Sequence, residues 1–583
     1  MKVSYQLWKF LKDQHWTYNK LKNSGMTTRQ KIWCEGSLLH AVQTSGIFPD
    51  CKTFVDMPLR NDAVETLSKW DKLLAQGNLT NDSLRTFVRD NFEEPEGELM
   101  ALEPTDWTLK NSNFERIENN GYRQLAEALH AKWPTLYRKI ADKVVEKQDK
   151  YSILAVPNPF VVPGGRFREM YYWDSFFTIK GLIASGMLET VKGMIQNIQY
   201  LIDMFGFMPN GNRIYYLNRS QPPLLSWCAW AYFEATRDKN FIESIVGTLE
   251  RELHFFRMKR TILLNGWKGP LYRYSVHVEI PRPESYREDL KSTEDVEKEA
   301  DKWILWGDLA AAAESGRDFS SRWFSTDGPL KGKLEGTRTS QIIPVDLNSI
   351  ICANLNIMAK MYEEIGDGQK AALMRKEATV MVETMQQVLW NETLGCWFDY
   401  DLATNTQLTN FQDTNFFPMF ADAVHADFQV EQVVHYLHAS GALNFPGGLP
   451  STMVNSGEQW DFPNAKCGAT ELAEELAMKW VGKNFDMWEA SGGKMFEKYN
   501  VVSSCTQVSG GGEYVMQEGF GWTNGVVLDL LTTFPQLKYT KGLPCTCIDC
   551  AESKDGTSIP HTVSDASITS LDVSAVVPEI KNQ

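Results

Sequence analysis

Apolar positions recur at three- and four-residue steps through most of the chain, the spacing that lays them along one face of an α-helix. In 345–390 the series Leu347, Ile351, Leu355, Met358, Tyr362 and Ile365 runs into Gly366-Asp367-Gly368. A second series, Leu373, Ala378, Met381, Met385 and Leu389, follows it. Two such runs split by a Gly-Asp-Gly break predict an αα-hairpin. Further helical runs are predicted over 122–146, 179–204, 227–256, 429–438 and 470–480, and a short strand over 396–400.

Long segments carrying Gly, Pro and Arg separate these runs, at 162–174, 208–223, 279–294, 313–323 and 503–524. Long loops on a rigid helical scaffold are where binding sites tend to be built. Helical hairpins with a crowded loop face predict an all-α toroid, although periodicity alone does not separate a closed ring from an open solenoid. The absence of a fixed-period repeat weighs against the solenoid. Residues 1–545 show no linker and read as a single domain, whereas 546–583, poor in aromatics and rich in Ser, Thr and Asp, read as a polar, flexible tail.

Composition narrows the function. The chain of 583 residues is 43% apolar, which suits a large core. Its 59 basic and 74 acidic side chains leave a net charge of −15, the wrong sign for a nucleic-acid surface. No stretch approaches the ~18 uninterrupted apolar residues of a membrane span. Residues 1–10 lack the apolar segment of a signal peptide, so the chain as written reads as cytoplasmic, with an extracellular location open if the start is truncated. Sequons at Asn78, Asn81, Asn218 and Asn391 occur about as often as chance gives them and do not alter that reading. The ten cysteines do not define a disulfide framework, and Cys545, Cys547 and Cys550 offer three thiolates without a near fourth ligand. Neither a metal nor a cofactor is expected. The 19 tryptophans serve a core and also offer flat platforms for a polar ring such as a sugar.

The densest chemistry lies in Pro163-Gly-Gly-Arg166-Phe167-Arg168-Glu169-Met-Tyr171-Tyr172-Trp173-Asp174. Carboxylates accept from hydroxyls, and a guanidinium donates to a vicinal pair, so this mixture suits a polyhydroxylated ligand. Arg219-Ser220-Gln221 and Arg282-Pro283-Glu284 repeat it on two other loops. Asp318, within Gly316-Arg317-Asp318, and Glu497, within Phe496-Glu497-Lys498, stand out as further loop carboxylates. Glycoside hydrolysis needs two such groups, one protonated and one ionised. With 74 acids in the chain, local sequence does not assign them. The Gly-rich Ser509-Gly-Gly-Gly512-Glu513-Tyr514 reads as a lid, since Glu513 would repel a phosphate.

Taken together, these segments resemble the trehalase family of inverting glycosidases. The resemblance rests on Pro163–Asp174, on Asp50-Cys-Lys-Thr-Phe-Val-Asp-Met-Pro-Leu59, on Pro209-Asn-Gly-Asn-Arg-Ile-Tyr-Tyr-Leu-Asn-Arg-Ser-Gln221, and on Gly511-Gly-Glu-Tyr-Val-Met-Gln-Glu-Gly-Phe-Gly-Trp-Thr-Asn-Gly525. It runs from about Cys34 to about Thr533. It implies an (α/α)6 toroid with the sugar site at its centre, α,α-trehalose as substrate, and no cofactor. By motif matching it makes Asp318 the general acid and Glu497 the general base. It puts Arg166, Trp173, Asp174, Asn210, Arg219, Ser220, Gln221, Arg282, Glu284 and Gly316 on sugar-binding positions, with Phe167, Tyr171 and the lid residue Glu513 close by.

The chain departs from the family pattern twice. The family has Trp before the acid, where this chain has Arg317; a cation aimed at Asp318 would favour its ionised form and weaken it as an acid. After Gln459-Trp460-Asp461-Phe462-Pro463-Asn464-Ala465 the family continues into an apolar helix, which Lys466-Cys467-Gly468-Ala469 replaces. About one helix, on the order of 12–15 residues, is expected to be missing there. These departures motivate a competing expectation, a catalytically impaired trehalose-binding or regulatory protein on the same fold.

Overall fold

The computed structural model describes residues 26–77, 79–465, 473–502 and 510–539. The Cys545–Cys550 cluster, the tail 546–583, Ser509 and the 466–472 junction where a helix was expected to be missing lie outside the described residues.

The hairpin read from 345–390 consists of helices Val345–Glu364 and Gly368–Val388, the second capped by Asp367, whose Oδ1 accepts from the Lys370 amide at 3.0 Å. The run over 179–204 divides into Tyr172–Ala184 and Leu188–Phe205. That over 227–256 divides into Leu225–Thr236 and Lys239–Lys259. Helices Val430–Ala439 and Ala473–Ala490 cover the two later runs. The reading of 122–146 as one helix is corrected. Helix Asn120–His130 gives way to a short turn of helix at Trp133–Leu136, with Pro134 in its first turn, and then to strand Tyr137–Ile140. Proline supplies no amide to a continuing helix, and the strand has partners on both sides. It pairs antiparallel with Leu99–Ala101 (Leu99 opposite Ile140) and with Phe160–Val161. The strand expected over 396–400 is two pieces, Cys396–Trp397 against Trp390–Asn391 and Asp399–Asp401 between Ile342–Ile343 and Thr406–Leu408. These small ribbons brace loops and enclose no core of their own.

The hairpins succeed one another around a ring. Helix Tyr172–Ala184 lies between Gly521–Thr533 and Leu225–Thr236, and Leu225–Thr236 lies in turn against Val345–Glu364. Outside them stand Asn120–His130, Leu188–Phe205, Lys239–Lys259 and Gly368–Val388. The inner helices Tyr172–Ala184, Val345–Glu364 and Gly521–Thr533 are buried along most of their length, polar residues such as Asp174, Asn348 and Asn524 included. Tyr172–Ala184 and Gly521–Thr533 touch at backbone distance. A Cβ on Gly525 would stand 2.1 Å from the Phe177 carbonyl oxygen, so only glycine fits there.

One hydrophobic cluster extends from Ile32 to Leu537. Most of its tryptophans, including Trp33, Trp70, Trp133, Trp323 and Trp397, are core residues. Among the described residues no helix is long and apolar enough to cross a membrane.

Candidate active site

The loop segments converge on one cavity, the concave kind of surface on which small-molecule sites are built. Segment 162–174 contributes Arg166, Phe167, Tyr171, Trp173 and Asp174 to its wall, and 208–223 contributes Asn210, Arg219 and Gln221. Arg282 and Glu284 come from the third loop, Gly316 and Asp318 from the fourth, and Glu497 and Glu513 from near the C-terminal end. Ser220 alone of the expected residues does not line it. It is fully buried behind the wall, its hydroxyl donating to the Met208 carbonyl at 2.6 Å and its amide to Glu314 Oε1 at 2.8 Å. Its place is to fix the loop that carries Arg219 and Gln221.

Each arginine of the wall carries a carboxylate of its own. Arg166 donates from Nε and Nη2 to Asp50 at 2.9 and 2.8 Å. Arg219 donates to Glu284 at 2.5 Å and to Asn210 Oδ1 at 2.8 Å. Arg282 grips Asp289, with Nη2 to Oδ1 at 2.6 Å, and also donates to Glu513 at 3.0 Å. A guanidinium has five N–H donors in a fixed plane, so a carboxylate on one edge orients the others. Burial pushes the Asp289 carboxyl up to about 6 against the pull of Arg282. At Glu284 burial also raises the carboxyl, but Arg219 and Arg282 outweigh it and hold it below its ordinary value. The three positive charges are thus largely offset where they stand, which limits their reach toward Asp318.

Helix Tyr172–Ala184 presents its first turn to the cavity. The side-chain oxygen of Gln221 accepts from the amides of Tyr172 and Trp173, each at 3.1 Å, and so satisfies two of the four amides a helix start leaves over. Asp174 in that turn is buried and lies where the helix dipole favours a negative charge. Gly316 has φ +73°, and a Cβ there would come within 2.6 Å of the Trp173 indole. The Trp173 indole therefore occupies the space that a side chain at 316 would need.

Asp318 and Glu497 face the same cavity from different loops. The Asp318 carbonyl accepts from the Gln459 side-chain amide, which ties the acid's backbone to the 459–465 motif. Glu497 is 2% exposed, and its Oε1 accepts from the Tyr514 hydroxyl at 2.8 Å. Arg317, the expected threat to Asp318, is directed elsewhere. Its Nη1 donates to Asp413 at 2.7 Å, its Nε stands 3.7 Å from Asp346, and its guanidinium lies 4.8 Å from the Trp460 ring centre.

The wall also includes residues that sequence reasoning did not single out: Lys52, Tyr216, Ser285 and Ala313, and then Gln459, Trp460, Tyr514, Phe520 and Trp522. Lys52, Tyr216, Gln459, Trp460, Tyr514, Phe520 and Trp522 fall within motifs already quoted, so the signal was there and only the choice of side chains fell short. Lys52 is fixed from behind by Asp56 and by Glu169, at 2.8 Å from Oε1 of the latter. Glu169 also takes the Tyr171 hydroxyl and the Arg213 guanidinium, so one buried carboxylate sets two wall residues. Among the described residues no three His, Cys, Asp or Glu side chains are grouped to hold a metal ion.

A family model described as Trehalase matches residues 46–535. The chain is 40% identical to Trehalase of Tenebrio molitor over 528 residues, 86% of this chain and 95% of the relative. It is 38% identical to Trehalase of Homo sapiens over 524 residues, covering 86% and 89%. Among solved structures it is similar to neutral trehalase Nth1 from Saccharomyces cerevisiae, with a TM-score of 0.53 at 22% identity, covering 67% of this chain and 79% of that one. That likeness carries the ring of helical hairpins.

Proposed function

The chain belongs to the trehalase family, a glycoside hydrolase with the (α/α)6 toroid that cleaves α,α-trehalose to two glucose molecules, and on that premise we propose that Asp318 is its general acid and Glu497 its general base. The observation that carries the assignment is that these two loop carboxylates, 179 positions apart (497 − 318), line one cavity together with the three paired arginines.

The reaction is a single displacement. Asp318 gives its proton to the bridging oxygen as the bond to the anomeric carbon breaks. Glu497 takes a proton from a water that attacks the opposite face of that carbon. An inverting pair needs its carboxyl groups about 6.5–9.5 Å apart, to leave room for that water. One β-glucose comes from the attacked ring and one α-glucose from the leaving ring. Arg166, Arg219 and Arg282 donate to sugar hydroxyls from guanidiniums already held in place, so little orientation is left to be lost on binding. Asp174, Glu284 and Glu513 accept from hydroxyls, and Trp173, Trp460 and Phe167 provide apolar faces. Asn210, Gln221, Tyr171 and Gly316 hold these groups in position, with Ser220 behind them.

Of the two departures that suggested the binding-only alternative, Arg317 directs its charge to Asp413, and the 466–472 junction lies outside the described residues. The test is anomer-resolved NMR of fresh product together with Asp318→Asn and Glu497→Gln. Equal α- and β-glucose from the native chain, and turnover lowered by at least ~10²–10⁴-fold with trehalose binding kept in each variant, is the expected result. Native-like turnover in either variant would refute its assignment.

A cytoplasmic location is proposed alongside. Asn81 and Asn218 are exposed, so passage through a secretory route would leave them open to glycosylation. A glycosidase-sensitive mass shift of the full-length protein from its own cells would contradict this proposal.

A further inference from the structure

Resting on the reading of Glu497 as base, we propose that Tyr514 is a positioning residue for it, its hydroxyl fixing the plane of the carboxylate that faces the attacking water.

The contact is direct, with the Tyr514 hydroxyl donating to Glu497 Oε1 at 2.8 Å. The ring that carries the hydroxyl is itself clamped. Phe167 meets it edge-on at 5.4 Å, and the Arg166 guanidinium lies 4.7 Å from its centre. Arg166 in turn is fixed by two hydrogen bonds to Asp50. A cation over the ring draws on its electron density and favours the phenol as a donor. Burial and the neighbouring Glu497 keep the phenol proton well above its ordinary range, so the group stays a donor at any working pH.

The backbone ties the same two segments together. The Glu497 amide donates to the Gln517 carbonyl at 3.2 Å, and Phe496 bridges to Glu518. The residue before Tyr514 reaches the other side of the cavity, since Glu513 accepts from Arg282 and from Ser285, each at 3.0 Å. Two successive side chains of one Gly-rich segment thus bind a sugar-facing arginine and the base. Seating this segment on Arg282 brings the phenol to Glu497, so correct docking of the loop and a correctly aimed base are one event. Asp318 and Arg166 are charged groups near Tyr514, and Lys498, next to Glu497 in the chain, donates to the Gly511 carbonyl at 2.6 Å. Lys498 therefore also holds the Gly-rich segment down.

The experiment is Tyr514→Phe in the full chain, alone and combined with Glu497→Gln, with kcat and KM on trehalose. Phenylalanine keeps the ring and removes only the hydroxyl. A fall in kcat of about 10–100-fold is expected, as for a lost donor to a charged group. KM should stay within about threefold, since the hydroxyl acts on the base rather than on bound substrate. In the Glu497→Gln background the second change should cost little more, as the phenol acts through the carboxylate. A loss confined to KM, or full additivity with Glu497→Gln, would overturn the proposal. So would a large fall in thermal stability of Tyr514→Phe, which would make the hydroxyl a structural strut. If instead Glu497→Gln itself kept native turnover, the base assignment would be what had failed.

Discussion

Arg317 and Asp413 form a buried ion pair, Nη1 to Oδ1 at 2.7 Å, with both side chains almost fully enclosed. The pair belongs to a larger group. Arg322 bridges Asp346 and Asp399, and Arg317 reaches toward Asp346 as well. The group sits directly behind Trp460, so the arginine beside the proposed acid supports a wall of the cavity and its charge is matched from behind.

Removing one partner of such a pair leaves a buried charge uncompensated. Arg317→Met should therefore destabilise the protein by about 3–5 kcal/mol, read from urea or thermal unfolding. Adding Asp413→Asn should recover part of that loss. A single variant as stable as the native chain would show that the pair does not matter.

Gly316 and Trp173 give the second prediction. Gly316→Ala places a Cβ within 2.6 Å of the indole at a residue with φ +73°. The backbone conformation alone costs about 1–2 kcal/mol for a non-glycine residue. The larger effect should be on catalysis, since a displacement of roughly 1 Å in a substrate platform costs on the order of 100-fold. Steady-state kinetics should show kcat/KM falling by about that factor, with the thermal midpoint only modestly lower.

Glu252 supplies a test by pH. It is fully buried against helix Tyr172–Ala184, accepts from the Tyr172 hydroxyl, and burial lifts its carboxyl to about 7. A raised carboxyl makes the folded chain bind the proton more tightly than the unfolded chain does. Stability is then fully present below the unfolded value near 4.5 and is lost as pH rises through 7. The difference of about 2.5 units corresponds to roughly 3 kcal/mol. Glu252→Gln should remove this dependence, so the variant should gain on the native chain between pH 5 and pH 8 in thermal unfolding. A constant difference across that range would contradict the account.

Much of this was legible in the sequence, and the rest has identifiable reasons. The 345–388 hairpin was readable because its apolar spacing and its Gly-Asp-Gly break agree. The loop segments were readable where they interrupt that spacing with Arg, Gly and Pro, although Tyr286–Ser292 within 279–294 is a short helix and 503–509 lies outside the described residues. The stretch 131–140 misled because its apolar residues also suit a strand, and only Leu99–Ala101 and Phe160–Val161, brought up by the fold, decide between the two. The direction of Arg317 could not be read, since Asp413 lies 96 positions away. Ser220 shares the Arg219–Gln221 loop yet faces the other way, a distinction of side-chain direction that residue identity does not encode. Tyr514 sat in a quoted motif and Glu497 was singled out, but the contact between the Tyr514 hydroxyl and the Glu497 carboxylate comes only with the fold.

The central assignment is that Asp318 protonates the leaving oxygen and Glu497 activates the water. It is tested most directly by comparing α-glucosyl fluoride with trehalose as substrates of Asp318→Asn and Glu497→Gln. Fluoride leaves without being protonated, whereas the bridging oxygen of trehalose does not. Asp318→Asn should retain most of its turnover on the fluoride while losing about 10²–10⁴-fold on trehalose, and Glu497→Gln should lose both. Equal losses on the two substrates in Asp318→Asn, or fluoride turnover preserved in Glu497→Gln, would contradict the roles given to these two carboxylates.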